Sequence, residues 1–489
     1  MQDQTKQNLT YSIYDGVLAN MFATLTGGVF LTGFAVYLGM NAFLIGLLGA
    51  MPFLVTVFQL PAAYFVDKKG GRKKIALWCS LFARTMWVPI LVVALLPVPI
   101  HGMKVPTVLF LIFLHYALGS ASFVAWLSWM SDLVPDRMRG TFFGTRNMLA
   151  GAASMVVMVV FGTTLDRLKT LSSRGLPLGF SLTFLTAVLF GLGSVRFLRR
   201  VTEPAHAYPA VRIDFRGQLR QPLGDRNFRR FLAFAFFWGF SVYFAAPFFP
   251  LYFLRNLQFG YGFIATLGML SAFADLVGMR LWGRLSDLTK NKPILYLAGW
   301  GAVFLPFSWV FVRPESTVLP ILLHLLGGGM WSGINLCVNN LLLRISPRQD
   351  RAVYLSVYNV VGGLGAALGP ILAGVVVQAI GQEPVRISSW PLLPLHVVFV
   401  LSTLFRLLSL QLIRRIEEPE EVTVGQMLRI IRSVRGLNMT NGFNFLLHPF
   451  VNVSEAIFQD EEQRPHGRGK RDEQGNERKI SDGGSSVDT

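Results

Sequence analysis

The sequence predicts an all-α integral membrane protein with twelve transmembrane helices in two six-helix bundles, and three observations lead to this fold class. Of the 489 residues, 52% are hydrophobic and 15% are charged, whereas soluble domains average about 25% charged residues. Twelve apolar runs are long enough to cross a bilayer, because a helix needs about 20 apolar residues to span the hydrocarbon. The two halves of the chain also resemble each other in sequence.

The twelve predicted spans follow one another along the chain. They are Gly16–Leu38, Phe43–Val66, Ile75–Leu96, Thr107–Met130, Asn147–Leu165, Leu178–Phe197, Phe231–Phe253, Tyr261–Trp282, Ile294–Val312, Val318–Leu342, Leu355–Ile380 and Leu392–Leu412. The first run is too long for the core of a cleavable signal peptide, so we expect it to be retained as span one.

These spans divide the chain into five parts. A short N-terminus (1–13) precedes the N-terminal bundle (14–197), and a basic linker (198–228) leads to the C-terminal bundle (229–413). The tail (414–489) is predicted to contain an amphipathic helix at 424–437 on the membrane surface and a disordered polar end.

The loop charges predict how the chain lies in the membrane. With the N-terminus inside, the inner loops hold 23 Lys and Arg residues and the outer loops hold seven. Because cytoplasmic loops are enriched in these residues, both termini are expected in the cytoplasm, with a bacterial inner membrane as the expected location. The net charge of +18 therefore reflects topology and lipid contact, and no nucleic-acid partner is expected.

Two pairs of matching segments indicate an internal duplication. Segment 135–147 aligns without gaps with 347–359, so that Pro, Arg and Asn coincide at an offset of 212 residues. The basic loop 67–74 has a weaker copy in the loop 283–292, at an offset of 220 residues. Two matches in the same order at nearly the same offset indicate a repeated six-helix unit, as in parallel-repeat transporters.

The basic loop 67–74 resembles the signature of the major facilitator superfamily between spans two and three. That signature reads Gly-x-Leu-x-Asp-Arg/Lys-x-Gly-Arg/Lys-Arg/Lys. The chain departs from it at Ala63 and Gly71. It matches the signature at Asp67, Lys68, Gly70 and Arg72.

The resemblance implies two six-helix bundles around a central cavity that alternates between inward- and outward-facing states. It also implies that each motif loop latches one of these states through its acid. The second copy supplies Gly283 and Asp287, and Arg139 and Arg351 are expected beside the same inner gate. The implied gate residues are therefore Asp67, Lys68, Gly70, Arg72, Gly283, Asp287, Arg139 and Arg351.

Ionisable residues deep in a span are costly and are therefore candidates for function. Asp275 is the only acid in the middle of a span and is the first candidate for proton coupling, with an ion pair to Arg280 or to a cation of the next loop as the alternative. His115 and His324 lie at similar depths in spans four and ten. They exchange protons, donate to an acceptor on the substrate, or bond to neighbouring helices.

Polar and aromatic residues provide candidate contacts with a substrate. Asn335 and Asn339 of span ten can bond a polar solute, and the aromatic belt of span seven can line the cavity or face lipid. Arg84 and Arg406 lie in spans three and twelve, which the family resemblance places outside the cavity. A structural role is therefore expected for both.

Together these features predict a secondary active transporter that moves a small organic solute and is driven by protons. No Gly-x-x-x-x-Gly-Lys-Ser/Thr phosphate loop occurs, which argues against ATP drive. A sensor on a transporter fold would usually add an output domain, and a membrane enzyme would need a catalytic segment or clustered metal ligands. The expected partners are the solute, H+ and lipid, with a monomeric chain and no metal or cofactor.

Overall fold

The computed structural model describes residues 2–59, 71–95, 103–204, 215–347, 350–381, 385–387 and 390–418. Three predicted gate residues, Asp67, Lys68 and Gly70, lie outside the described residues. The predicted amphipathic helix 424–437 and the rest of the tail also lie outside them.

The predicted all-helical membrane fold is confirmed, since eleven helices in the described part are long and apolar enough to cross a membrane. In the N-terminal half the long spans are Gln2–Leu25 with Gly28–Tyr37, Arg72–Thr85 with Trp87–Leu95, Lys104–Leu133, Arg139–Leu171 and Gly175–Arg200. In the C-terminal half they are Arg226–Ala245 with Phe248–Leu251 and a π-helical turn Tyr252–Asn256, Tyr261–Thr289, Asn291–Val303 with Leu305–Ser308 and Trp309–Phe311, Val318–Ile345, Arg351–Ile380 and Pro394–Ile413.

The predicted second span is described only as far as residue 59. It consists of the helix Ala42–Leu54 and a 3-10 turn, Val55–Phe58. Two short elements lie outside the spans, namely a helix Phe215–Gly224 within the predicted linker and an antiparallel hairpin of Val385–Ile387 with Trp390–Leu392. The hairpin directly precedes span twelve, which begins at Pro394.

The second motif copy lies mainly in a helix and not in a loop as the sequence suggested. Span eight continues to Thr289, and the turn to span nine is made at Lys290, whose φ is +68°. The 29-residue helix is about 43 Å long at 1.5 Å per residue, whereas the hydrocarbon is about 30 Å thick. The last turns of span eight, with Gly283 and Asp287, therefore continue the helix beyond the apolar core.

The outer face of the bundle is apolar. Large side chains such as Trp78, Phe110 and Leu189 are exposed on it. Such a surface is unfavourable in water but suits contact with lipid chains, in which the hydrogen bonds of each helix remain satisfied internally.

The two halves meet through span two against span eleven and through span five against span eight. We call the end of the bundle that holds residues 72, 139, 200, 292 and 351 the basic end. At the opposite end, the Asp166 carboxylate of span five accepts hydrogen bonds from the backbone N–H groups of Tyr261 and Gly262, both at 2.8 Å. This opposite-end clamp joins the halves at the first turn of span eight, where the amides have no partner within the helix.

Glycines allow the closest helix contacts in the C-terminal half. A Cβ at Gly365 of span eleven would overlap the carbonyl oxygen of Phe236 in span seven. At Gly363, two residues earlier, the nearest atom to an added Cβ is Thr56 Oγ1 at 4.0 Å. Gly365 therefore lets the backbone of span eleven meet the backbone of span seven.

We predict that Gly365→Ala lowers stability by about 1–3 kcal/mol, since the rigid backbone of span seven would have to move. The measurement is the midpoint of thermal unfolding in detergent. Gly363→Ala is the matched control and should leave the midpoint unchanged or raise it, because alanine is the better helix former. Equal midpoints for the two variants would contradict the packing argument.

Candidate functional site

A large cavity of about 1230 Å³ lies mainly in the C-terminal half and reaches the N-terminal half. Spans seven, ten and eleven form most of its wall, with smaller contributions from spans two, four, eight, nine and twelve. Aromatic side chains form much of its wall, including Trp238, Trp331 and Tyr358. Part of the aromatic belt of span seven therefore faces the cavity. Of the predicted substrate contacts, His324 and Asn335 line this cavity.

A smaller cavity of about 590 Å³ lies within the N-terminal half and is more strongly charged. Its wall includes Asp15, Arg84, His115 and Arg146. The two predicted histidines therefore line different cavities.

Both histidines bond to backbone carbonyls. His115 Nδ1 donates to Ala83 O of span three at 2.8 Å, and His324 Nδ1 donates to Pro320 O in its own helix at 3.0 Å. Because a carbonyl oxygen can only accept, Nε2 of each neutral ring is left as a hydrogen-bond acceptor. His115 thus has the inter-helix bond that the sequence left open, and each ring retains one nitrogen able to take a proton.

Asp15 forms the centre of the charged cavity, although the sequence placed it near the edge of span one. It is 3% exposed, Ser194 donates a hydrogen bond to its Oδ1, and Arg146 Nη2 lies 3.6 Å from its Oδ2. The adjacent Gly16 leaves room for Arg146, because a Cβ there would overlap the guanidinium. Span one begins at Gln2, so Asp15 lies well inside the helix.

Arg146 is held from three sides. Its Nε donates to the carbonyl of Ser12 at 3.2 Å, and its guanidinium lies 4.5 Å from the centroid of the Trp126 ring. Together with Asp15, these contacts fix span five against span one. The Asp15–Arg146 pair therefore joins two helices through a buried charge interaction.

Arg84 and Arg406 reach the cavity walls from the two peripheral spans, and the structural role expected for both stays a prediction. Arg84 lines the smaller cavity and donates from Nη1 to Gly191 O of span six at 3.0 Å. Arg406 lines the larger cavity and donates from Nη1 to Ala302 O of span nine at 2.8 Å. Both helices are peripheral, but the long side chains extend between their neighbours to the cavity wall.

Asp275 of span eight is half-buried. Within the described residues no hydrogen bond or ion pair involves it, so the alternative ion pair with Arg280 is not formed there. Neither Asp275 nor Asn339 is among the residues that line the two cavities. The functional role of both stays a prediction.

The predicted gate residue Arg72 lies in an ionic junction at the basic end. It is 1% exposed, and its Nη1 bonds to Asp132 at the end of span four and to Ser128 O. Its Nε lies 3.5 Å from Glu203, which follows span six. This N-terminal junction therefore joins the start of span three to spans four and six.

The C-terminal half has the equivalent junction with the charges inverted. Here the buried group is Glu418, which follows span twelve and is 4% exposed. It accepts hydrogen bonds from Asn291 Nδ2 at 2.8 Å, from Lys292 N at 2.7 Å and from Arg344 Nη1 at 3.3 Å. Sequence reasoning missed both junctions, because their members are far apart along the chain.

The other predicted gate residues reproduce the internal repeat. Arg139 Nη2 donates to Ser131 O at 2.8 Å, and Arg351 Nη2 donates to Leu343 O at 3.3 Å, so both the donors and the acceptors are 212 residues apart. Gly283 is half-buried and Asp287 is exposed. The part that these four residues play in gating stays a prediction.

Comparison with known proteins gives one family and a set of similar folds. The family model of the Major Facilitator Superfamily matches residues 16–370. A crystal structure of a mutant nucleoside transporter NupG has a TM-score of 0.64 at 12% identity, covering 85% of this chain and 100% of that chain. A D-xylose-proton symporter has a TM-score of 0.63 at 14% identity, covering 85% of this chain and 99% of that chain.

A bacterial homolog of the human lysosomal transporter Spinster, in an inward-facing and unoccupied conformation, has a TM-score of 0.60 at 16% identity, covering 86% of this chain and 100% of that chain. At these identities the likeness to the solved structures concerns the fold. No curated protein sequence matches the chain.

We predict that Glu418→Gln destabilises the chain by about 1–3 kcal/mol, because the amide loses the negative charge that four neighbouring donor groups share. Thermal unfolding in detergent measures the effect. The matched control is Glu417→Gln, since the Glu417 side chain is 76% exposed and forms a surface pair with Arg230. A control that lost as much stability as Glu418→Gln would rule out a special role for the buried junction.

Proposed function

Because the chain belongs to the major facilitator superfamily, whose members are membrane transporters and not enzymes, we propose that it moves a small organic solute through the large cavity by alternating access and couples this movement to protons. The observation that carries the proposal is the 1230 Å³ cavity, which is lined by residues of both halves, and the two halves are clamped together at one end. Such a cavity is large enough for a small-molecule ligand.

The contacts between the halves support an inward-facing state. The Asp166 clamp lies at the opposite end, and a Cβ at Gly46 of span two would overlap the carbonyl oxygen of Pro370 in span eleven. The cavity wall extends from Trp309 near this closed end to Ser356 near the basic end. If the loop charges place the basic end in the cytoplasm, with both termini there, the solute enters or leaves the cavity from the cytoplasm.

Asp15 is our first candidate for the proton site. A proton on this carboxylate would remove its charge interaction with Arg146, which in turn bonds to span one through Ser12. Span five carries Arg146 near one end and Asp166 of the clamp near the other. A change in the charge of Asp15 can therefore shift span five, which is also the helix whose Asp166 closes the opposite end.

The remaining sequence-based assignments stay as proposals within this scheme. Asp275, His115 and His324 are alternative proton carriers, and the motif loop around Asp67 is a latch at the basic end. A single chain as the transporting unit likewise stays a proposal.

We predict that Asp15→Asn abolishes solute accumulation driven by an imposed pH gradient in proteoliposomes but preserves exchange of solute without a gradient. The asparagine keeps the size of the side chain but cannot change its charge. The transported solute is first identified by measuring the uptake of a panel of compounds by the wild-type protein. Asp275→Asn, made in parallel, tests the acid that the sequence favours. Accumulation by Asp15→Asn that still follows the pH gradient would exclude Asp15, and wild-type transport indifferent to the gradient would exclude proton coupling.

We further predict that Asp166→Ala opens the opposite end more often, because the first amides of span eight lose their acceptor. The measurement is the labelling rate of a single cysteine at Ala246, which lines the large cavity, by an impermeant thiol reagent applied from the opposite side. Cys79 and Cys337 are replaced by serine beforehand. A several-fold rise in rate is expected, since about 1.4 kcal/mol corresponds to a tenfold change in an equilibrium.

The neighbouring variant Arg167→Ala is the control for the clamp experiment. It changes an exposed charge at the same end without touching the two hydrogen bonds of Asp166. Equal labelling rates for wild type, control and Asp166→Ala would show that the clamp does not hold the closed state.

A further inference from the structure

Arg406 of span twelve is a buried cation in the wall of the large cavity. Arg406 is 3% exposed, and its Nη1 donates a hydrogen bond to the neutral carbonyl of Ala302. Its Nε is buried without a hydrogen-bond partner. Within the described residues, no carboxylate forms an ion pair with it.

The equivalent arginine of the N-terminal half shows what Arg406 lacks. Arg84 of span three bonds to a carbonyl of span six, and Arg406 of span twelve bonds to a carbonyl of span nine. Spans three and six correspond to spans nine and twelve. The two arginines therefore join corresponding helix pairs, but the arginine lies on the first helix of the pair in one half and on the second helix in the other. The cavity beside Arg84 also contains the carboxylate of Asp15. Span seven, which corresponds to span one, contains no acid in its sequence.

Within the described residues, no acid of the C-terminal bundle compensates the positive charge of Arg406. Asp275 is the only acid in the middle of a span there, and it neither pairs with Arg406 nor lines the cavity. A buried charge without a counter-charge is unfavourable in a medium of low dielectric constant, and charged groups inside membrane bundles generally pair or contact a ligand. A ligand that brings its own negative charge would relieve this cost.

The surroundings of the guanidinium indicate the chemistry of that ligand. One face lies 5.7 Å from the centroid of the Trp331 ring, and Trp331 packs against Trp238 with centroids 6.0 Å apart. Both tryptophans line the same cavity, as does Tyr358. A guanidinium matches the planar shape of a carboxylate, and aromatic walls favour a flat apolar body.

We propose that the large cavity binds an organic anion, a carboxylate on a flat apolar body, with Arg406 as its counter-charge. The transport of this anion rests on the proposed function, but its binding does not. The competing role for Arg406 is a purely structural link between spans nine and twelve through Ala302. The two roles differ in whether a carboxylate ligand depends on the charge.

The first test compares carboxylates with their neutral amides on the wild-type protein in detergent. The probes are benzoate, 2-naphthoate and indole-3-acetate, each paired with the corresponding amide at the same concentration, and the readout is the midpoint of thermal unfolding. A ligand of the folded state raises this midpoint with concentration. At least one carboxylate should raise it by several degrees while its amide does not. Equal responses within every pair would overturn the proposal.

The second test asks whether the response depends on Arg406. Arg406→Gln should weaken the apparent affinity for the responding carboxylate at least tenfold, and Arg406→Lys should weaken it less because the charge is kept. Arg414→Gln is the matched control in the same helical region, since Arg414 is exposed and bonds to the Tyr296 hydroxyl. An unchanged carboxylate response in a folded Arg406→Gln protein would overturn the assignment of Arg406.

Proteoliposomes separate this inference from the proposed function. Carboxylate binding without any exchange of labelled carboxylate across the membrane would support the anion site and count against transport of this ligand. Exchange of a neutral or cationic solute by a protein that binds none of the carboxylates would support transport and overturn the anion site.

Discussion

The low dielectric constant of the bilayer limits where this bundle can hold a charge. A charge inside the bundle is stable only beside a partner, and the described residues follow this rule at nearly every buried site. Asp15 lies beside Arg146, Arg72 lies beside Asp132, and Glu418 collects the donors at the start of span nine. These pairs hold helices that are distant in sequence at fixed positions. Arg406 departs from the rule, and it does so in the wall of the larger of the two cavities.

The two halves have kept one architecture and changed its charges. Both junctions at the basic end join the start of one helix to the ends of two others, but a cation is buried in the first half and an anion in the second. The arginines that join the peripheral helices also differ in position. Arg84 extends from span three to span six, whereas Arg406 extends from span twelve, the counterpart of span six, to span nine. The N-terminal half thereby contains its own acid–base pair, whereas in the described part of the C-terminal half no carboxylate pairs with Arg406. In our proposal, the first half carries the proton and the second half carries most of the solute contacts.

Span five connects these two activities physically. It contacts span one through Arg146, packs along span eight, and supplies the Asp166 carboxylate that caps the start of span eight. Because a helix transmits a shift of one end to the other, a change at the charged cavity bears on the closure at the opposite end. The tight glycine contacts of span eleven provide the second rigid element, since backbone packed on backbone leaves little freedom to deform.

The helical fold, the positions of most spans and the duplication could be predicted from the sequence. These properties depend on apolar run length and on spacing along one chain, and the matching bonds of Arg139 and Arg351 reproduce the predicted offset of 212 residues. Only the tertiary structure placed Asp15 at the centre of a charged cavity and brought Arg84 and Arg406 to cavity walls. Hydropathy describes a helix along its axis, whereas the direction of a side chain depends on which neighbours the helix packs against. For that reason the sequence predicted the transport fold, and the packing of distant helices decided which charges are paired within it.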